Sequence, residues 1–227
     1  YQSVTGNSSD WQTGSVSLTV NGAADADSGL HTNAYSFSTS AGAYNWQASN
    51  VSPAYTEHQT VYVYIRDASG NITSCGSYEI KVDNDAPTAT GVTHNPSSWT
   101  NDGVALAVTD VEDSGVGLHT SPYSFSTQQG VYDWQSTPSK VISENGTVYI
   151  YLRDALGNIV LYETHTVNNI DKEAPIVLGY SQEKIDTDEY LLTVTATDGE
   201  GSGIKEYSFD NGTTWQDSNS KTVTSFD

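Results

Sequence analysis

The sequence is poor in the residue types that would place it in several common protein classes. It contains one cysteine and only eight lysine and arginine residues, against 28 aspartate and glutamate residues. The formal charge of −20 argues against a nucleic acid or an anionic membrane surface as partner, since both require a cationic face. No apolar run is long enough to span a bilayer, so we expect no direct membrane insertion.

The single cysteine, Cys75, excludes an intrachain disulfide. No recurring histidine or other base accompanies it, and we interpret it as an inert thiol rather than a nucleophile. The first ten residues also lack the basic and apolar regions of a signal peptide. We therefore expect this chain to be a fragment of a longer protein that carries any export signal or wall anchor elsewhere.

What the sequence does contain is an internal repeat. Residues 1–47 align with residues 89–135 at a constant offset of 88, with 22 of 47 positions identical, and residues 60–72 match 147–159 at 10 of 13 positions. A third copy begins near Ile176 and reaches only part of the way through the unit before Asp227. The period predicts two complete small domains, 1–87 and 88–175, and a truncated one, 176–227.

Each copy is predicted to be an all-β domain. Short segments rich in β-branched and aromatic residues alternate in polarity and are separated by Gly, Asn, Asp or Pro clusters, for example at 15–20, 34–39, 60–66 and 77–82. With shorter strands near 3–5, 44–47 and 51, each copy has about seven strands. This number and spacing predict tandem immunoglobulin-like β-sandwich domains.

Two sets of aromatic residues recur between the copies. Trp46, Trp134 and Trp215 follow equivalent YSF segments, and we predict that each fills the core of its sandwich. The strand at 60–66 should turn Val61, Val63 and Ile65 inward. Its tyrosines would then form an exposed outer stripe that is a candidate ligand surface, with ordinary cross-strand packing as the alternative. The candidate ligand-binding residues are Tyr62, Tyr64, Tyr149 and Tyr151.

Acidic residues cluster at the predicted joints between copies. In a sandwich, the loop after the second strand and the RDxxGN loop both lie at the domain end nearest the preceding linker. Carboxylates gathered there are the hard oxygen ligands that calcium selects. The alternative is that these residues cap turns and keep the chain soluble. The candidate metal ligands are Asp83, Asp85, Asp113 and Asp154 at the first joint, and Asp171, Glu173 and Asp198 at the second.

Sequence motifs of catalysis are not found. The sequence has no GxSxG, HExxH or CxxC motif and no Gly-rich phosphate loop, and its five histidines are scattered. Only His31 and His119 occupy equivalent positions. We expect a non-catalytic protein.

Three segments carry a family resemblance. YSFDNGTTWQ (207–216), TVYVYIRDASGNI (60–72) and IDKEAP (170–175) resemble the bacterial immunoglobulin-like repeats of Gram-positive surface proteins and secreted enzymes. The resemblance implies an extracellular setting, on the cell surface or secreted. The first joint also resembles the calcium-binding linkers of cadherins, with Asp83, Asp85, Ala86 and Pro87 matching part of that pattern, whereas Lys172 in the second joint departs from it.

Several functions remain open for such an array. We predict a cell-surface binding or adhesion array that recognises a host protein or glycan. One group of long, acidic, repeat-built proteins from gut commensals binds antibody variable domains as B-cell superantigens, which makes immunoglobulin a specific candidate partner. A passive stalk, or an accessory module of a large secreted glycoside hydrolase, is the remaining alternative.

Overall fold

The computed structural model describes residues 1–224 as an all-β protein with no helix. Within these residues, sixteen strands form several small antiparallel sheets. The strands are β1 (Ser3–Thr5), β2 (Thr19–Asn21), β3 (Leu30–Ser38), β4 (Trp46–Gln47), β5 (Gln59–Asp67), β6 (Ile72–Ile80), β7 (Gly91–Asn95), β8 (Val104–Thr109), β9 (Leu118–Ser126), β10 (Trp134–Gln135), β11 (Ser139–Ile142), β12 (Gly146–Asp154), β13 (Ile159–Val167), β14 (Ile176–Lys184), β15 (Glu189–Thr197) and β16 (Ser220–Thr224).

The chain divides into two compact units. The first contains residues 1–91, 109–138 and 149–163, and the second contains residues 92–108, 139–148 and 164–227. The first unit holds the two-stranded sheet β1-β2, the four-stranded sheet β4-β3-β5-β6 and most of the four-stranded sheet β10-β9-β12-β13. The second unit holds the three-stranded sheets β11-β8-β7 and β14-β15-β16.

The core of the first copy draws on both of its sheets. Val16, Leu18 and Val20 from one side pack with Phe37 of β3 and the inward residues of β5 in one buried cluster. Alternation along β5 is as predicted, since Val61, Val63 and Ile65 are buried and the residues between them are only partly so. Burying these aliphatic side chains is the main stabilising contribution to this part of the fold.

The strand pattern repeats along the chain. β3 and β9 begin 88 residues apart, as do β4 and β10, and β5 and β6 recur 87 residues later as β12 and β13. The two four-stranded sheets have the same order of equivalent strands. In the third copy, β14, β15 and β16 reproduce the order of β7, β8 and β11.

These observations confirm the all-β prediction. Two strand boundaries differ from it, because β2 is limited to Thr19–Asn21 and β6 begins at Ile72 rather than near 77. Val16 instead forms an isolated bridge with Tyr55, and Thr19 forms one with Val51, so a discontinuous third strand adjoins β2. The division at residues 87 and 175 stays a prediction.

Candidate functional site

The first joint brings three predicted metal ligands together within the first unit. Asp83, Asp113 and Asp154 each offer a carboxylate oxygen, and these oxygens lie within 4.8 Å of one another. Asp83 and Asp154 are buried, and Asp113 is partly exposed. Such a cluster could hold a metal ion.

The RDxxGN turn positions Asp154. The backbone N–H of Asn158 donates to Asp154 Oδ1 and the Asn158 side-chain amide donates to Oδ2, both at 2.7 Å. This turn recurs in the first copy, where Asn71 makes the same two bonds to Asp67 at 2.7 and 2.6 Å. The Asn71 side-chain amide is the main cause that lowers the pKa of Asp67. The motif therefore holds its carboxylate in a fixed orientation.

Asp113 and Asp83 are held by the loop that precedes β9. Asp113 Oδ2 accepts hydrogen bonds from the backbone N–H groups of Gly115 (3.1 Å) and Gly117 (2.7 Å). Between these glycines, the N–H of Val116 donates to Asp83 Oδ2 at 2.7 Å. One short loop thus supplies one carboxylate of the cluster and fixes the carboxylate that comes from the linker. Charged acceptors make these hydrogen bonds stronger than those between neutral groups.

Gly115 leaves space for the linker carboxylate. A Cβ at this position would overlap the Asp83 carboxyl group. The second joint repeats the arrangement, because a Cβ at Gly201 would lie 2.5 Å from Asp171 Oδ2 and 2.8 Å from Asp198 Oδ2. Glycine is therefore required at this position by the close approach of two chain segments, not by a turn conformation.

The residues next to Asp83 point elsewhere. Asn84 turns back to the first copy, where its side chain bonds the backbone of Gly14 and the carbonyl of Thr56. Asp85 is exposed and lies outside the three-carboxylate cluster. It lines an adjoining cleft of about 350 Å³ together with Asp113 and Glu112. Of the two linker acids predicted to bind metal, Asp83 therefore belongs to the cluster and Asp85 does not.

The second joint, in the second unit, has a related but less complete arrangement. The N–H of Ser202 donates to Asp171 Oδ2 at 2.6 Å and is the main cause that lowers the Asp171 pKa. Gly203 donates to Asp198 Oδ2 at 2.7 Å. Asp171, Glu173 and Asp198 all line one cleft of about 490 Å³. Among the described residues, a group of three or more metal-ligating side chains is found only at the first joint.

Lys172 also lines this acidic cleft. Its ammonium group donates to the Ser143 carbonyl at 2.7 Å. Asn84 makes the equivalent bond to Thr56 at 2.8 Å in the first joint. Lys172 thus makes the contact with the preceding copy that Asn84 makes at the first joint. This accounts for its departure from the cadherin-like pattern.

The predicted tyrosine stripe is only partly accessible. Tyr62, Tyr64 and Tyr149 are partly exposed, but Tyr151 is 4% exposed, contrary to the expectation of an exposed side chain. Its hydroxyl accepts a 2.6 Å hydrogen bond from the N–H of Gly130, and its ring packs edge-on against Tyr132 at 4.8 Å. Tyr151 thus anchors the hairpin formed by β9 and β10. A role of these tyrosines in binding stays a prediction.

The prediction that the recurring tryptophans fill the core is wrong. Trp46 lies opposite Ser36 of β3, and Ser36 in turn lies opposite Tyr64 of β5. Directly opposed residues share a face of a sheet, and this face is opposite to the one that buries Phe37. Trp46 is therefore half-buried on the outer face, and Trp215 is 60% exposed.

Trp46 and Trp134 belong instead to an outer aromatic cluster that occurs twice. In the second copy, Trp134 stacks with Tyr132 at 5.2 Å between ring centroids, and the Arg153 guanidinium lies 4.3 Å from the Trp134 centroid. Ser124 is fully buried in this copy. The members are Tyr44, Trp46, Ser36, Tyr64 and Arg66 in the first copy, and Tyr132, Trp134, Ser124, Tyr151 and Arg153 in the second.

Three residues that support the site were not predicted from the sequence. Asn158 orients Asp154, Gly115 makes room for Asp83, and Glu112 lines the cleft beside Asp113. Asn71 recurs as Asn158 in the two RDxxGN motifs, and this recurrence could have identified Asn158. Glu112 has no acidic counterpart at the aligned position, Ala24, so the repeat gave no indication of it.

Comparison with protein-family models found no model that matches the chain, and comparison with curated proteins found no matching relative. Within residues 1–224 there is no helix of the length and apolarity needed to cross a membrane.

Proposed function

We propose that this chain forms a non-catalytic array of immunoglobulin-like β-sandwich domains, on a bacterial cell surface or secreted, with a calcium site at its first joint. The observation that carries the proposal is the meeting of linker residue Asp83 with Asp113 and Asp154 of the second copy. A ligand set drawn from a linker and the domain after it would fix that linker when the ion binds. This is a useful property in a tandem array.

The sandwich assignment is supported by the first copy. Its buried cluster joins Leu18 and Val20, beside β1, to Val61 and Val63 of the four-stranded sheet. Two antiparallel sheets that share an aliphatic core are the basis of the immunoglobulin-like architecture. The recurrence of the same sheet order in the second copy supports a tandem arrangement.

Calcium fits the chemistry of the first joint better than other common metals. All three side chains are carboxylates, and no cysteine or histidine belongs to the cluster. Hard oxygen donors favour Ca²⁺ or Mg²⁺, and Ca²⁺ tolerates the irregular geometry of ligands from three separate chain segments. Asp83, Asp113 and Asp154 would hold the ion, with backbone carbonyls and water completing its shell of six to eight oxygens.

The test is a calcium titration with a matched control. Calcium should raise the melting temperature of the wild-type chain and bind it in calorimetry, because a ligand bound only by the folded joint stabilises that joint. Asp83→Asn should abolish both effects. Asp67→Asn disrupts the same turn chemistry in the first copy, outside the cluster, and should retain them. A wild-type chain that is indifferent to millimolar calcium in both measurements would refute the calcium site.

For the array as a whole we propose adhesion to a host protein or glycan, with immunoglobulin as the specific candidate. The partly exposed Tyr62 and Tyr149 and the exposed Tyr44 and Tyr132 support it, because accessible aromatic side chains commonly anchor protein and glycan recognition. A passive stalk or an accessory module of a glycoside hydrolase would have the same joints without this binding.

Adhesion is tested by capture from serum and mucus and on glycan arrays, with immunoglobulin as a purified probe. Tyr62→Ser with Tyr149→Ser should weaken capture while leaving the circular dichroism spectrum unchanged. Tyr151 is left intact because it is buried. Capture of no partner by the wild-type chain would favour the stalk over the adhesion array.

A further inference from the structure

Two histidines from the first and the last strand of the second copy lie side by side. His94 is on β7 and His165 is on β13. Their ring centroids are 5.3 Å apart, and the ring planes are inclined by 46°. Both residues belong to the second unit, and their strands lie in different sheets. The pair therefore links two sheets, with His94 exposed and His165 partly exposed.

The first copy has neither histidine. The aligned residues are Gly6, at an offset of 88, and Tyr78, at an offset of 87. β1 ends at Thr5, and a Cβ at Gly6 would overlap the carbonyl of Ser17. Tyr78 packs instead against the core of the first copy. The histidine pair is thus specific to the second copy, in which both aligned positions have changed.

The distance between the two rings suits two imidazoles that bind one metal ion. Zn–N bonds are about 2.0–2.1 Å long and each ring centroid lies roughly 1 Å beyond its nitrogen, so tetrahedral coordination places two centroids about 5 Å apart. The observed 5.3 Å agrees with this separation. Imidazole nitrogen is a ligand for Zn²⁺, Cu²⁺ and Ni²⁺, whereas Ca²⁺ takes oxygen ligands. The donor atoms therefore distinguish this pair from the carboxylates of the first joint.

We infer that His94 and His165 form a binding site for a transition-metal ion of the Zn²⁺ or Cu²⁺ type. Within residues 1–224, no third His, Cys, Asp or Glu completes a ligand group with them within 4.8 Å. Water would occupy the remaining coordination positions, and the exposure of His94 gives it access. The net charge of −20 raises the local concentration of cations. This site is independent of the calcium site.

A bound ion would tie the first strand of the second copy to its last strand. The two histidines lie far apart in the sequence, so the ion would close a long loop of the chain. An ion that binds only the folded pair stabilises the fold by mass action. Zinc should therefore raise the melting temperature of the chain.

Calorimetry of the full chain with ZnCl2, and separately with CuCl2, tests this site in the presence of millimolar calcium. We expect saturable binding of one ion, with Cu²⁺ bound more tightly than Zn²⁺. Binding should be at least about tenfold weaker in His94→Gln and in His165→Tyr, because each removes one of two ligands. His165→Tyr also restores the residue that the first copy has at this position.

The matched control is His119→Gln. His119 belongs to the same copy, and its Nδ1 accepts a hydrogen bond from the Ser121 N–H at 2.9 Å. This variant should bind both metals like the wild-type chain. An equal loss of affinity in His119→Gln and in the two pair variants would show dispersed binding to surface histidines and would overturn the inference.

Two further results would also overturn it. Unchanged affinity in both His94→Gln and His165→Tyr would place the metal elsewhere, for example on the carboxylates of the first joint. No binding of either metal to the wild-type chain would leave the pair as ring packing alone, for which 5.3 Å is also suitable. Circular dichroism verifies that the variants retain their strands. Because His94 is exposed, His94→Gln keeps the test decisive if His165→Tyr unfolds the second copy.

Discussion

The guanidinium of Arg153 lies 4.3 Å from the ring centroid of Trp134, and its Nε donates to the Ser121 carbonyl at 3.0 Å. A double-mutant cycle with Arg153→Met and Trp134→Leu should give a coupling energy of about 0.5–1 kcal/mol, because the cation lies over the ring on a partly exposed face. Urea unfolding measures it. Arg66 and Trp46 in the first copy, at 4.4 Å, form a matched pair that should give a similar value. A coupling near zero in both pairs would show that the contact adds nothing to stability.

The location of Trp134 on the outer face leads to a second prediction. Phe125 is 2% exposed, and Phe125→Ala should cost about 3–5 kcal/mol of unfolding free energy through the cavity it leaves. Trp134→Ala should cost about 1–2 kcal/mol, since the ring is only half-buried. Chemical denaturation compares the two variants. Equal costs would return Trp134 to the core.

The close approach at the first joint gives a third prediction. Gly115→Ala should destabilise the joint by about 1–3 kcal/mol, because its methyl group would occupy the space of the Asp83 carboxylate. Gly179→Ala is the control, since its Cβ would meet no atom within 4 Å. Thermal unfolding separates the two. If Gly115→Ala melts like the control, the loop and linker are not held together as described.

Cys75 provides a prediction about pH. It is 2% exposed, and burial raises the pKa of its thiol from 9.0 to about 11. Because the folded pKa lies above the unfolded one, the stability contributed by the protonated thiol is complete below about pH 9 and is lost as the pH rises toward 11. At neutral pH, iodoacetamide should alkylate the native chain far more slowly than the urea-unfolded chain. Equal rates would show that the thiol is accessible.

Much of this architecture was readable in the sequence because it depends on local patterns that occur twice. Period-two alternation predicted which residues of β5 are buried, and the recurring Asp residues predicted the acidic joint. The orientation of Trp46 was not readable, because it depends on its register with Ser36, which the intervening turn sets. The burial of Tyr151 likewise depends on contact with Tyr132, which lies in the connection between β9 and β10. The alternation within β12 alone therefore does not predict it.

Two adjacent linker residues have opposite attachments. The Asn84 side chain is bonded to Gly14 and Thr56 of the first copy, whereas the Asp83 carboxylate accepts from Val116 of the second. The backbone N–H of Asp83 still donates to the Gln12 carbonyl of the first copy. When tension is applied along the chain, force would therefore pass between the two copies over the single peptide unit that joins Asp83 and Asn84, without first extending a flexible linker. The linker can extend only a little before hydrogen bonds on one side of it must break. The Asn84 side chain would carry part of that force, beside the backbone hydrogen bonds of Asp83 to Gln12 and of Thr88 to Glu112, and substitution of Asn84 would change the force at which the chain yields.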